Sequence, residues 1–164
     1  DPDNAVLWHS WATMERRLGN YPKARELYRK ATQLAPDQSI NWQAWGQLES
    51  KCRNYQEAER LLTTALKYAT DDYTKAWVHS DLAFALGHLR RPVSEVEKHY
   101  RLSLRLNPNS AQTNYLFSEF LRKLGREEEA AEYERRALIL GWRPRRPHRR
   151  YHRKRFSAKV NKTT

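Results

Sequence analysis

The chain repeats itself with a period of 34 residues, and this repeat constrains the fold more than any other feature of the sequence. A fixed period of this length is typical of arrays in which one supersecondary unit stacks on the next. The chain is therefore predicted to be a repeat protein. The residues that recur are Trp8, Trp11, Glu15, Asn20, Ala24 and Ala31, which match Trp42, Trp45, Glu49, Asn54, Ala58 and Ala65.

Each unit has the pattern of two helices joined by a short turn. In the first unit, an apolar stripe at helical spacing precedes the turn at residues 19–21 and Pro22, which suits a helix start. A second stripe ends before Pro36, because proline cannot continue the hydrogen-bond ladder of a helix. The stripes consist of Leu7, Trp11, Met14 and Leu18, and of Ala24, Leu27, Tyr28, Ala31 and Leu34.

The later units follow the same plan less regularly. The first helix of the third unit is predicted around residues 76–86, and the spacing to the second helix predicts about four extra residues in the turn at residues 87–92. The fourth unit returns to the pattern, with Gly141 as its C-terminal cap. We therefore predict an all-α fold of about four tandem helix-turn-helix units, forming a right-handed superhelical α-solenoid.

The repeat also predicts the boundaries of the units. Asp1-Pro2-Asp3-Asn4 resembles the unit ends at Pro36 and at Pro108, so the chain is expected to be a fragment of a longer protein. The predicted segments are 1–4 as the end of a preceding repeat, 5–38, 39–72, 73–110 and 111–141 as repeats one to four, and 142–164 as a flexible basic tail.

The pattern resembles the tetratricopeptide repeat. The first unit has Trp8, Ala12, Ala24, Tyr28, Ala31 and Pro36 at the family's positions. Trp11 and Glu15 replace the leucine and tyrosine of the family pattern. The resulting Trp-x-x-Trp-Ala-x-x-Glu is similar to the half-a-tetratricopeptide variant. The second unit has the same form, with Gly46 in the place of the alanine. Units three and four resemble ordinary tetratricopeptide repeats. The variant implies a scaffold in RNA processing, whereas ordinary arrays imply peptide binding on the concave face, or the sensor arm of a signalling NTPase.

The resemblance implies which side chains line the concave face. Arg and Lys recur at the end of three first helices and could form a basic stripe for phosphates or acidic side chains. The alternative is that these cations complement the helix dipole, which is worth about 0.3–1 kcal/mol each. The implied residues are His9, Thr13, Arg16, Arg17, Gln43, Gln47, Ser50, Lys51, Tyr115, Glu119, Arg122 and Lys123.

The tryptophan pairs are expected in the core rather than on a base-stacking surface, because the register places them between helices. Trp8, Trp11, Trp42 and Trp45 should therefore be largely buried. Glu15 and Glu49 are expected to have a structural role, such as a bond to a neighbouring turn, rather than acid catalysis.

The net charge of +12 comes mainly from the tail, where residues 142–164 hold ten of the 31 Lys and Arg residues and none of the 19 acids. Aromatic residues alternate with these cations, as in RNA-contacting arms whose cations neutralise phosphates. A nuclear targeting run and a solvated end remain alternatives. The predicted contacts are Arg143, Arg145, Arg146, Arg149, Arg150, Tyr151, Arg153, Lys154 and Arg155. His148 and His152 lack a third ligand, so no metal is predicted.

Enzyme signatures are missing from the sequence. Five glycines provide no phosphate loop, dinucleotide turn or nucleophile elbow, and no apolar run is long enough to cross a bilayer. The single cysteine, Cys52, excludes an internal disulfide. We expect a non-catalytic, soluble intracellular scaffold without a cofactor that does not bind membranes. It would bind RNA or an RNA-processing protein; the alternative is a C-terminal sensor array of a larger signalling protein.

Overall fold

The computed structural model describes residues 4–143. This part of the chain contains eight α-helices and no β-strand, which confirms the predicted all-α class and the tandem helix pairs. The helices are α1 (Ala5–Leu18), α2 (Tyr21–Leu34), α3 (Ser39–Lys51), α4 (Tyr55–Tyr68), α5 (Asp72–His88), α6 (Val93–Leu106), α7 (Ala111–Lys123) and α8 (Glu127–Ile139). None of these eight helices combines the length and the apolar character needed to span a membrane.

The first helices form one layer and the second helices another, and neighbouring helices are closer together in the first layer than in the second. The first helices of successive units contact one another directly, α1 with α3, α3 with α5, and α5 with α7. The second helices contact only first helices within residues 4–143. Because neighbours approach more closely in the layer of first helices, that layer lies on the inner side of the curve. The first helices therefore line the concave face of the solenoid.

Small residues lie between the two helices of the first, second and fourth units. Ala24, Ala58 and Ala130 on the second helices are fully buried, so the paired helices approach closely at these points. Larger side chains fill the spaces between the pairs in two apolar clusters, one between α1 and α4 and one from α4 to α8. Trp42 packs against both clusters and joins them into one core.

A left-handed residue follows several helices and closes their ends. Gly19 has φ of 85° and Gly141 has φ of 88°, which glycine adopts without steric cost, and the predicted cap at Gly141 is confirmed. Arg53 and Arg90 take the same conformation with φ of 62° and 56°. These two turns are therefore closed by residues that are strained in this region.

The insertion in the third unit lies elsewhere than predicted. α5 has 17 residues, against 13 in α3, so the additional residues mainly lengthen the helix and leave a short turn at residues 89–92. Gly87, which the sequence placed in the turn, lies inside α5 against the ring of Phe120, where an added Cβ would be 3.5 Å from that ring. Gly87 therefore lies at an ordinary packing contact between α5 and α7, and Arg90, with its positive φ, follows the helix end instead. α5 also begins one residue before the predicted unit boundary, at Asp72.

The tryptophan pairs only partly follow the prediction. Trp8 stacks on Trp11 and Trp42 stacks on Trp45, with ring centroids 5.8 and 6.3 Å apart. Trp45 is buried at 8 % exposure, but Trp11 is 41 % exposed, so the predicted burial is wrong for Trp11. The reason is that α2 covers this side of α3, whereas no described helix covers the same side of α1.

Candidate functional site

Two of the predicted concave residues bind neighbouring helices. His9 on α1 has its Nδ1 atom 2.9 Å from Oδ1 of Asn41 on α3, and burial lowers the pKa of this histidine. The hydroxyl of Thr13 lies 3.1 Å from the hydroxyl of Tyr28 on α2. Both side chains therefore tie α1 to the helices beside it.

A buried carboxylate links the first helices of three units. Asp81 on α5 accepts hydrogen bonds on one oxygen from Nε2 of Gln43, at 2.9 Å, and Nε2 of Gln47, at 2.8 Å. Arg16 on α1 donates to Oε1 of Gln47 at 3.2 Å, which extends the network to the first unit. Burial raises the pKa of Asp81 to about 6, against the opposing effect of the two glutamine hydrogen bonds.

Asp81 was missed in the sequence, although the 34-residue period that relates Thr13 to Gln47 also relates Gln47 to Asp81. The irregular spacing of the third unit hid this equivalence, because the four extra residues begin only after this position.

The predicted basic stripe is interrupted by carboxylates. Arg122 donates to Glu134 at 2.7 Å, contacts Glu119, and lies 3.7 Å from Glu127. Lys51 lies over the ring of Tyr21, 5.3 Å from its centroid. The remaining predicted residues are the exposed cations Arg17 and Lys123, and Ser50, whose buried hydroxyl has no hydrogen-bond partner within residues 4–143.

A groove of about 530 Å³ opens between α5, α6 and α7, and we call it the α5–α7 groove. Its floor is apolar, since Phe84 on α5, Tyr100 on α6, and Leu116 and Phe120 on α7 all line it. The full lining is Phe84, Gly87, His88, Arg90, Arg91, Val93, Tyr100, Leu116, Glu119, Phe120, Lys123 and Leu124.

The rim of the α5–α7 groove carries more positive than negative side chains. Arg90, Arg91 and Lys123 line it together with one acid, Glu119. Arg91 is paired with Glu59 on α4, at 2.9 Å, and Glu119 contacts Arg122, so Arg90 and Lys123 are the exposed rim cations that form no ion pair within residues 4–143. Such a groove favours an apolar side chain flanked by negative charge.

His88 closes one end of the α5–α7 groove. Its ring stacks on Tyr55 of α4, with centroids 4.4 Å apart, and meets Phe84 at 4.6 Å. Burial lowers the pKa of His88, and the charges of Lys123 and Arg53 lower it further. A neutral ring therefore extends the aromatic floor toward the second unit at neutral pH.

The start of the predicted tail is packed against the fourth unit. Trp142 stacks on Tyr115 of α7 at 4.8 Å, and its backbone N–H donates to Ala137 at 2.9 Å. Tyr115, predicted to face a ligand, thus receives a residue from the same chain, and Trp142 is not part of a free tail. Arg143 is exposed, and the predicted contacts from 145 to 155 lie outside the described residues.

A pair of histidines lies away from the concave face. Nδ1 of His79 on α5 and Nδ1 of His99 on α6 are 2.9 Å apart. Burial, together with His99 and Lys98, lowers the pKa of His79 to about 4. Within residues 4–143, no cluster of three or more His, Cys, Asp or Glu side chains is arranged to hold a metal ion.

Comparison with known proteins finds a family match in the first part of the chain. Residues 5–48 match the family model described as Tetratricopeptide repeat. No curated protein sequence matches the chain. The half-a-tetratricopeptide variant of the first two units stays a prediction.

Solved structures share the fold over most of the chain. Pseudomonas aeruginosa PilF superposes with a TM-score of 0.77 at 21 % identity, over 88 % of this chain and 64 % of PilF. A crystal structure of MamA gives a TM-score of 0.71 at 18 % identity, over 85 % of this chain and 80 % of MamA. MamA from Desulfovibrio magneticus RS-1 gives 0.70 at 16 %, over 84 % and 76 %. The family match at residues 5–48 and this likeness of fold agree with the repeat signature and the helix pairs of the chain.

Proposed function

We propose that the protein is a non-catalytic scaffold whose α5–α7 groove binds a segment of another protein. The segment would place a large apolar side chain on the aromatic floor and acidic side chains near Lys123 and Arg90. The observation that carries this proposal is the combination of an apolar floor with exposed cations on its rim.

The size of the groove supports a side-chain ligand. A volume of about 530 Å³ lies within the range of sites that bury small ligands, roughly 300–1,000 Å³. Protein interfaces also derive most of their binding energy from a few buried anchors, with near-neutral contacts around them. One aromatic or leucine side chain in this groove would be such an anchor, and the basic rim would select its neighbours.

The charge pattern favours protein over RNA as the ligand of the concave face. An RNA track requires cations that are free to neutralise successive phosphates. Along the predicted stripe, Arg122 contacts three glutamates and Arg16 donates to Gln47. The exposed cations that remain, Arg17, Lys51 and Lys123, lie on three different helices.

The experiment that tests this function selects ligands without assuming their identity. A random peptide library displayed on phage would be panned against the 164-residue chain, and the selected peptides titrated into labelled protein by NMR. We expect acidic peptides with an aromatic or leucine anchor, and amide shifts around Phe84, Leu116 and Lys123. Selected peptides whose shifts fall outside the α5–α7 groove would contradict the proposal.

RNA binding by the tail is a second candidate function, and the composition of the tail supports it. Ten Lys and Arg residues without an acid, interleaved with aromatic residues, suit contacts to phosphates and bases. A chain lacking residues 144–164 should then bind single-stranded RNA more weakly, with a flatter dependence on salt. The slope of log affinity against log salt should fall by ~0.7 for each phosphate that the tail no longer neutralises. Equal, weak binding by both chains at ~50 mM salt would exclude this function.

A further inference from the structure

The outer face of α1 is unusually apolar for an exposed helix face. Leu7 is 53 % exposed, Met14 50 % and Leu18 74 %, and they lie on one side of the helix together with Trp11. Terminal units of repeat proteins are soluble because their outer face is polar. An exposed apolar stripe of this kind marks an interaction surface.

The equivalent face of α3 is buried in the same chain. On α3, 34 residues later, the positions of Leu7, Trp11 and Met14 hold Asn41, Trp45 and Leu48. Those three are 4 %, 8 % and 0 % exposed, because α2 packs over them. The interface between α2 and α3 therefore shows which kind of helix covers a face of this type.

Each face has a glutamate, Glu15 on α1 and Glu49 on α3, and their hydrogen bonds differ in one partner. Glu15 accepts from Nε1 of Trp11 at 2.9 Å and from Nδ2 of Asn20 at 3.1 Å. Glu49 accepts the same two bonds from Trp45 and Asn54, both at 3.1 Å. In addition, Arg25 of α2 donates two hydrogen bonds to Glu49, of 2.6 and 2.9 Å.

Glu15 thus has the tryptophan and the asparagine of this arrangement but no ion pair within residues 4–143. We propose that the outer face of α1 is a docking surface for the second helix of a further helical repeat, and that an arginine of that helix binds Glu15 as Arg25 binds Glu49. Apolar contact with Leu7, Trp11, Met14 and Leu18 would supply most of the binding energy, and the arginine would fix the register.

A second copy of this chain fits the surface less well. The position of Arg25 is held by Glu59 on α4, Glu97 on α6 and Ala131 on α8. The second helix of the last described unit, α8, would therefore bring an alanine to Glu15 if copies stacked end to end. The occupant must come from a repeat that carries the arginine.

The test provides such a repeat in the correct register. A copy of residues 5–34 joined in front of Asp1 sets its α2 helix 34 residues ahead of the native one, the spacing that relates α2 to α3. Hydrogen exchange of the α1 amides is compared with and without the added copy. We expect exchange in α1 to slow by roughly tenfold or more when the copy covers it.

Two variants of the added copy test the arginine. Arg25→Ala in the copy should return much of the fast exchange, whereas Arg29→Ala, an exposed residue of the same helix, should leave the protection intact. Unchanged exchange of α1 on adding the copy, or equal effects of the two variants, overturns the proposal. Sedimentation of the original chain should show a monomer, and a dimer abolished by Met14→Glu would assign the face to a second copy instead.

Discussion

Arg25 on α2 and Glu49 on α3 form a bidentate ion pair, with N···O distances of 2.6 and 2.9 Å, across the junction between the first and second units. The Glu49 side chain is 2 % exposed and the Arg25 side chain 37 %, so the pair joins a buried carboxylate to a partly solvated cation. It joins the second helix of the first unit to the first helix of the second unit.

Arg25→Ala should therefore destabilise the protein by about 2 kcal/mol. This estimate lies between the values for an exposed pair and for a fully buried one, because Glu49 would lose its cation while staying buried. Urea unfolding followed by circular dichroism measures the change. Arg29→Ala on the same helix is the control, and an equal loss from both variants would show that the pair contributes nothing specific.

Ala58→Arg should be more damaging, with a cost of several kcal/mol. Ala58 is fully buried between α3 and α4, so the longer side chain would overpack the contact and bury an unpaired charge. Ala24→Arg should behave in the same way in the first unit. The control is Ala131→Arg on the exposed side of α8, and a melting temperature of Ala58→Arg within error of this control would contradict the assigned interface.

Arg53→Gly should stabilise the protein by about 0.5–1 kcal/mol. Its φ of 62° is strained for arginine, and relief of that strain outweighs the additional freedom of glycine in the unfolded chain. The reciprocal change Gly19→Arg, at φ of 85°, should cost a similar amount. Urea midpoints of the two variants test this, and a loss of stability in Arg53→Gly would show that its side chain has a packing role.

Asp81→Asn should change how stability depends on pH. Because the folded pKa of about 6 lies above the ordinary value, the folded state binds more protons than the unfolded state between pH ~4 and ~6. Asp81 therefore lowers stability as pH rises through this window, and asparagine removes that loss. The stability difference between variant and parent should grow by about 3 kcal/mol from pH 4 to pH 7.

The measurement is a series of urea unfolding curves at half-unit pH steps. His79 has the opposite effect on the parent and the variant alike, because its depressed pKa raises stability as pH rises from ~4 to ~6.5. Subtracting the stability of the parent from that of the variant removes this shared contribution. Asp37→Asn, on an exposed turn, is the control. A difference that does not vary with pH would mean that folding does not raise the pKa of Asp81.

The helices were predictable because the residues that start and end a helix in the sequence agree with the positions that the helix packing requires. Pro22 and Pro36 lie at a helix start and just after a helix end, and the alanines of the second helices are buried as the period requires. The turn of the third unit was misplaced because Gly87 resembles a turn residue locally. Its actual place, inside α5 against Phe120 on α7, depends on a helix distant in sequence.

The candidate site was less predictable for the same reason. The stripe of cations was visible in the sequence, but Glu134, which pairs with Arg122, lies on another helix. The α5–α7 groove combines α5, α6 and α7, and its lining includes Gly87 and His88 at the end of α5, which the sequence pattern placed in a turn.

Whether the α5–α7 groove binds a protein segment can be decided by the affinity of a selected peptide for two matched variants. Lys123 and Lys51 occupy the same position of their repeats, but only Lys123 lines the groove. We expect Lys123→Glu to weaken binding by about tenfold or more, equivalent to about 1.4 kcal/mol, and Lys51→Glu to change it little. Fluorescence anisotropy gives both values. Equal affinities for the two variants, or a greater loss with Lys51→Glu, would show that the peptide does not bind in the α5–α7 groove.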